Sequence, residues 1–372
     1  MKNIKFNLIA LISLIILLIT TALINLTVDP FSVFNSSLFY KFNKIKPELK
    51  RQERLTKVFY SILNKNNFDT IILGSSRVDY GFDSEYYFKK TGYRTYNSGI
   101  KATGVGDGLE IVKKLVHKNS NLKQVLLGVD FFAFKKPPEY LINSKDQIIS
   151  TKLNDFASIL LSLDAVECSI NTVLYNLKTP NINIYDKNGL KIMQKDHNAY
   201  NEALYEVGAY MNDELFYKNY KPWTKQFEDL QEFISICKKN NIKLIVFVNP
   251  INVAQLQAIK TTNNWQNYKN WKKKLAQLTP YYDFSGFNSV TTEPLSKNMK
   301  YYIDSNHYLK ITSHLMTDAI INPEKRFEHK DFGIYITNDN VEQSNAKLDK
   351  DYNEWSKNNQ ILVKKINAIK NW

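Results

Sequence analysis

Leu8 to Leu26 is an apolar run broken only by Ser13, Thr20, Thr21 and Asn25. As a helix, about twenty such residues rise ~30 Å, the depth of a bilayer's hydrocarbon core. Lys2 and Lys5 precede the run, and no lysine or arginine follows until Lys41. The positive-inside rule then puts residues 1–6 in the cytoplasm as a stub, residues 7–27 across the membrane, and the rest outside. A cleaved signal peptide is the competing reading. Its apolar stretch is usually shorter, and no small-x-small cleavage site stands out, so an uncleaved signal anchor is expected. The main domain is therefore expected on the extracytoplasmic side of a single-pass cell-membrane protein.

The remaining chain is long enough for one large or two ordinary domains. Of the 372 residues, 44% are hydrophobic and 13% aromatic, and Gly and Pro are sparse, which excludes fibrous and broadly disordered classes. The net charge of +14 comes from lysines spread along the whole chain. There is no arginine-rich stripe and no nucleic-acid-binding motif, so no nucleic-acid partner is expected. Cys168 and Cys237 are the only cysteines, and their spacing leaves open a disulfide or two buried thiols.

Beyond Val28, Pro30 blocks further helix. Residues 28–66 read as a linker and a leading helix. Thr70 to Leu73 is a short β-branched run ending in Gly74-Ser75-Ser76-Arg77. A buried strand that stops there sets hydroxyl side chains at the carboxyl end of a sheet, where open α/β folds build their sites. A short helix near 84–90 and a strand at Tyr93–Tyr96 follow, the latter running into Asn97-Ser98-Gly99. A helix over 106–118 and a strand over 124–130 ending Gly128-Val129-Asp130 come next. This alternation predicts a parallel sheet covered by helices. Residues 154–177 read as one long amphipathic helix. Residues 178–222 break the pattern with Tyr185, Tyr200, Tyr205, Tyr210, Phe216, Tyr217 and Tyr220, either a cap that stacks on sugar rings or an insertion packed by its own aromatics. A helix over 224–240, the strand Ile242–Val248 ended by Asn249-Pro250, a helix over 265–277, a strand near Tyr281–Phe284 and a helix over 310–320 complete the alternation. The expected domain covers 67–325, and residues 326–372 form an amphipathic helical tail that packs on the domain's own surface, with partner or membrane docking as the alternative.

Three strand ends thus carry Gly74-x-Ser76, Asn97-x-Gly99 and Gly128-x-Asp130, and Asp304-x-x-His307 closes the α/β region. In this order the motifs resemble the SGNH/GDSL hydrolase superfamily over roughly residues 67 to 320. The membrane-anchored layout is similar to the branch that acylates surface polysaccharides, as in alginate acetylation and teichoic-acid alanylation. The resemblance implies a three-layer α/β/α, flavodoxin-like (SGNH-type) parallel sheet preceded by one transmembrane helix. It implies Ser76 as nucleophile, His307 as base and Asp304 as the acid that orients it, with the Ser76 and Gly99 N–H groups facing the oxyanion. The implied partners are a cell-envelope glycan and a multi-pass membrane acyltransferase; no cofactor is implied.

The residue types suit that chemistry, because an unactivated serine needs a base within hydrogen-bond reach. The departure is Asp130, where the family has an amide-donating asparagine. An ionised aspartate only accepts. Either Asp130 is protonated, or it has another role, or a neighbour such as Asn97 or Arg77 donates, or catalysis is lost. Arg77 pairs with an acid or binds an anionic substrate group. His117, His197, His314 and His329 lack metal-ligand spacing, and no metal is expected. Three functions stay open: an O-acyltransferase, a plain esterase, and a silent glycan-binding or scaffold module of an envelope complex.

Overall fold

The structure is a computed structural model that describes residues 2–34, 42–47, 53–118, 120–139, 153–178, 185–192, 198–324 and 329–369. Along the chain lie α1 (Lys2–Val28), α2 (Glu53–Leu63), β1 (Thr70–Leu73), α3 (Ser76–Gly81), α4 (Ser84–Thr91), β2 (Thr95–Asn97), α5 (Val105–His117) and β3 (Gln124–Val129). A 3-10 turn at Phe131–Phe134 follows, then α6 (Leu153–Leu161), α7 (Leu163–Lys178), α8 (Ala199–Asn212), α9 (Thr224–Lys239), β4 (Lys243–Val248), α10 (Val253–Thr261) and α11 (Trp265–Leu278). The chain closes with β5 (Tyr281–Asp283), α12 (Lys310–Ile321), β6 (Ile334–Ile336), α13 (Val341–Asn358) and α14 (Gln360–Ile369). It divides into two compact units, residues 1–64 with 149–186, and residues 65–148 with 187–372.

In the larger unit the sheet order is β2-β1-β3-β4-β5-β6. The first five strands are mutually parallel and β6 runs antiparallel to β5. The fold is mixed α/β with a mostly parallel six-stranded sheet. β1 and β3 are buried along their whole length, as strands covered on both faces must be. Ile72 and Leu126 join a core with Val78, Tyr87, Phe247 and Met316. Leu73 and Leu127 instead approach Gly108 on α5 from the opposite face. The strand order reverses between β1 and β3, the place at whose carboxyl ends open α/β folds build their sites.

The smaller unit holds α1, α2, α6 and α7. α1 is the one described helix long and apolar enough to cross a membrane, as a single-pass anchor requires. Residues 154–177 are two helices rather than one, because Ser162 restarts the chain: its hydroxyl accepts the Ala165 N–H at 3.0 Å, as a helix cap does. Two further helices depart from the sequence reading. α8 lies inside the aromatic segment and buries Ala199, Ala203, Val207 and Tyr210 along one stripe. α10 is buried on every side from Val253 to Ile259, so it carries no amphipathic signal. Tyr210, Phe216 and Tyr217 pack on Phe131 and Phe132, whereas Tyr205 is exposed; residues 179–184 and 193–197 of that segment lie outside the described residues. Cys168 and Cys237 are both buried and form no disulfide, and burial pushes the Cys237 thiol up to about 12. The tail packs on the larger unit, α13 against α11 and α14 against α8 and α10, with Asp349 taking the Trp265 indole N–H at 2.6 Å and Lys269 at 2.7 Å.

Candidate active site

The site is built around the short helix α3, which starts immediately where β1 ends. Gly74 has φ +152°, a backbone setting open to glycine. A Cβ there would meet the Val78 side chain at 2.6 Å, and one on Gly128 would meet the same side chain at 2.8 Å. A Cβ on Gly99 would lie 2.4 Å from the Asp79 backbone nitrogen. The three motif glycines therefore share one physical task, clearing room for α3 to sit down on the strand ends. Ser75 caps that helix, its hydroxyl accepting the Arg77 N–H. Ser76 is the first helical residue, and among the described residues its N–H donates to no protein acceptor.

The opposite wall is the loop Asp304–His307. Asp304 Oδ1 accepts the backbone N–H groups of Asn306 (2.6 Å) and His307 (2.8 Å), while Oδ2 lies 2.7 Å from His307 Nδ1. The backbone closes on itself through Ile303 N–H to His307 C=O and Leu309 N–H to Tyr301 C=O, both 2.8 Å. Ser305 pins the loop, donating to the Ala203 carbonyl of α8 and accepting from Gln255 of α10, each at 2.9 Å. His307 Nε2 then lies 2.9 Å from Ser76 Oγ. With Nδ1 donating to Asp304, a neutral imidazole presents Nε2 as acceptor to the serine hydroxyl. Burial works against the imidazolium, but the Asp304 charge and hydrogen bond outweigh it and raise the His307 pKa. Burial pushes the Asp304 carboxyl up, and His307 with the two backbone donors more than reverses this, so it ends below the usual range. The structure thus brings Ser76, His307 and Asp304 into one hydrogen-bonded row.

Arg77 and Asp130 form a second, enclosed pair. Arg77 Nη1 reaches Asp130 Oδ1 at 2.5 Å, with 3% and 2% of the two side chains exposed. Ser75 Oγ donates to Asp130 Oδ2 at 2.6 Å and Asn249 Nδ2 to Oδ1 at 3.2 Å. Burial opposes the Arg77 charge, but the Asp130 carboxylate restores it and raises its pKa further. Nη2 donates to Asn306 Oδ1 at 2.8 Å, and the guanidinium lies over the Phe132 and Tyr210 rings. Asp130 therefore serves as acceptor for three donors, and Arg77 ties the Ser75–Ser76 turn to the loop that carries His307 rather than offering a guanidinium to solvent.

Asn97 and Gly99 are also engaged. The Asn97 amide nitrogen donates to the carbonyls of Val78 (2.8 Å) and Phe82 (2.9 Å), holding the end of α3, and Asn97 Oδ1 accepts the Gly99 N–H at 2.9 Å. Glu206 on α8 is an addition that the sequence reading missed. It accepts from Asn306 Nδ2 at 3.0 Å, and burial first, then the Asp304 charge, raise its pKa. Nothing in sequence separates it from other helical glutamates. Tyr80 lies against the His307 ring, centroids 5.0 Å apart.

Among the described residues no three His, Cys, Asp or Glu side chains converge as metal ligands would. His314 pairs with Asp83 and stacks on Tyr86, and His329 contacts Ser289 and Tyr301; His197 lies outside the described residues.

No family model matches this chain, and no curated protein matches it. Among solved structures, a Streptococcus pneumonia protein provisionally described as a platelet activating factor is 11% identical, with a TM-score of 0.33, covering 74% of this chain and 92% of its own. A likeness that loose carries no argument about fold or activity.

Proposed function

We propose that this protein is a membrane-anchored serine acyl hydrolase or acyltransferase whose larger unit is an SGNH-type, flavodoxin-like domain. The observation that carries the reading is the row from Ser76 Oγ to His307 Nε2 at 2.9 Å and from His307 Nδ1 to Asp304 Oδ2 at 2.7 Å. The 2-1-3-4-5 order of the parallel strands supports the fold assignment. Ser76 Oγ attacks the acyl carbonyl carbon as its proton passes to His307 Nε2. Asp304 stabilises the imidazolium and holds its tautomer. The tetrahedral intermediate collapses, His307 returns the proton to the leaving oxygen, and an acyl-Ser76 ester remains. Water, or a sugar hydroxyl deprotonated by His307, then resolves it. The oxyanion faces the Ser76 N–H, joined by the Gly99 N–H when it exchanges Asn97 Oδ1 for substrate oxygen. The acceptor we assign is a cell-envelope glycan, on the extracytoplasmic side, with a multi-pass membrane acyltransferase as donor partner.

One observation favours a second reading, a silent glycan-binding or scaffold module: Asp130 cannot donate, and the Asn97 amide is committed to α3. Full-length protein in detergent, treated with a fluorophosphonate and weighed intact, separates the two. A single adduct that is lost in Ser76→Ala supports serine chemistry, and a folded protein that takes up no reagent supports the silent module. Turnover of p-nitrophenyl acetate by the protein alone favours an esterase. Acylation of glycan only when a membrane acyltransferase is co-reconstituted favours transfer.

A further inference from the structure

One of the helices that meet α1 is built inside out. α7 buries Ala165, Cys168, Ser169, Thr172 and Asn176. On the opposite side it exposes Leu163 (87%), Ile170 (54%), Leu174 (44%) and Leu177 (63%). The steps of 7, 4 and 3 residues set these four on one narrow stripe. A helix surrounded by water carries the reverse pattern. Small residues and hydrogen-bonding side chains toward the protein, with large aliphatics outward, are what a lipid environment selects.

The buried polar groups are matched within this unit. Ser169 Oγ donates to Asn25 Oδ1 at 2.7 Å, and Asn25 Nδ2 donates to the Leu160 carbonyl of α6 at 2.8 Å. Asn176 exchanges two hydrogen bonds with the Ile45 backbone, at 3.0 and 2.8 Å. The C-terminal turns of α1 meet both α6 and α7. Asn25 fixes the depth of this contact. It follows Leu8 by a rise of about 26 Å along a helix, so Ser169 sits level with the outer edge of a bilayer entered by α1. Asp164, Glu167 and Lys178 flank the stripe, which suits headgroup depth and not the hydrocarbon centre.

We propose that α7 is a second membrane element, an interfacial helix lying in the outer leaflet beside α1 with Leu163, Ile170, Leu174 and Leu177 among the lipid chains. The occupant of the stripe is lipid, because Ser169 joins α7 to Asn25 near the outer end of the apolar helix α1, so the exposed aliphatics lie at bilayer depth. The inference rests on the α1 anchor and is independent of Ser76.

The test uses full-length protein in phosphatidylcholine/phosphatidylglycerol vesicles. On a Cys168→Ala, Cys237→Ala background, single cysteines replace Leu163, Ile170, Leu174 and Leu177, with Asp164 and Asn171 as off-stripe positions. Each is spin-labelled, and collisions with oxygen and with a water-soluble nickel chelate are compared. Stripe labels are expected to show an oxygen-to-nickel ratio several-fold above the flanking labels, alternating with helical period. Nickel access equal to the flanks would put the stripe in water and overturn the proposal. Shielding from both reagents would mean cover by protein or a second copy, and would also overturn it. A second measurement needs no substitution: a diazirine-bearing phospholipid is photolysed around the native chain and adducts are mapped. Carbene insertion into the four stripe residues is expected, and a peptide 163–178 free of adducts contradicts the proposal.

Discussion

Two buried carboxylates flank the turn that carries Ser76, and each is paired with a cation, but the pairs do different work. Asp304 holds His307, a partner whose ring can gain and lose a proton, mostly buried but facing Ser76 Oγ. Asp130 holds Arg77, a partner that never releases its proton, enclosed and joined to Ser75, Asn249 and Asn306. In the proposed reaction His307 must exchange a proton in every turnover, so its acid partner has to leave it reachable. A brace must not change charge at all. The comparison teaches that Asp130, standing where the resembled family has an oxyanion donor, is the counter-ion of the arginine that binds the two halves of the site.

The largest expected effects fall on the open pair. His307→Ala and Asp304→Asn should each lower ester turnover by up to about 10⁴-fold, the second because an asparagine favours the wrong imidazole tautomer; steady-state kinetics on folded protein check both. The closed pair should answer in stability. Arg77→Met or Asp130→Asn leaves one charge buried without its partner and should cost about 3–5 kcal/mol in denaturant unfolding, part of it recovered in an apolar double replacement. If Asp130→Asn instead raised turnover without loss of stability, the comparison would fail and Asp130 would be a degraded oxyanion donor.

A pH titration sharpens the contrast. The folded pKa of His307 is raised above its ordinary 6.5, so its pairing energy is complete below that value and is lost as pH rises through the folded pKa. The folded pKa of Asp304 is depressed below its ordinary 3.8, so its share is present above that value and is lost as pH falls through the folded pKa. The stability difference between wild type and His307→Ala should therefore be greatest between these limits and shrink on either side. Turnover should rise with pH through the raised His307 pKa. The smallest effect belongs to Glu206, whose charge also raises His307: Glu206→Gln should move the acid limb of the pH–rate profile to lower pH with little change in the plateau.

Much of this was legible in the chain and some was not, for identifiable reasons. The strands ending at Leu73, Val129 and Val248 are β-rich apolar runs with abrupt polar ends, so the sheet and its site-bearing edge can be read directly. The Asp304-x-x-His307 spacing places acid and base on one tight loop. Asn306 was hidden as an unassigned position inside that motif, and Ser75 as the other serine of Gly-Ser-Ser. Asn249 was readable only as the end of a strand, although asking what every parallel strand presents at its carboxyl end would have picked it out. Glu206 reaches the site from α8, a helix obscured by the aromatics around it, and no local spacing links it to His307. The Ser162 break between α6 and α7 was masked because apolar periodicity continues across a cap.

The central claim is that Ser76 is an activated nucleophile. The most direct test is intact-mass analysis of the full-length protein after fluorophosphonate treatment, run in parallel on Ser76→Ala and on His307→Ala. The account predicts one stoichiometric adduct mapped to Ser76, none on Ser76→Ala and strongly slowed labelling on His307→Ala. A folded wild-type protein that stays unmodified, or an adduct that persists in Ser76→Ala, would contradict it.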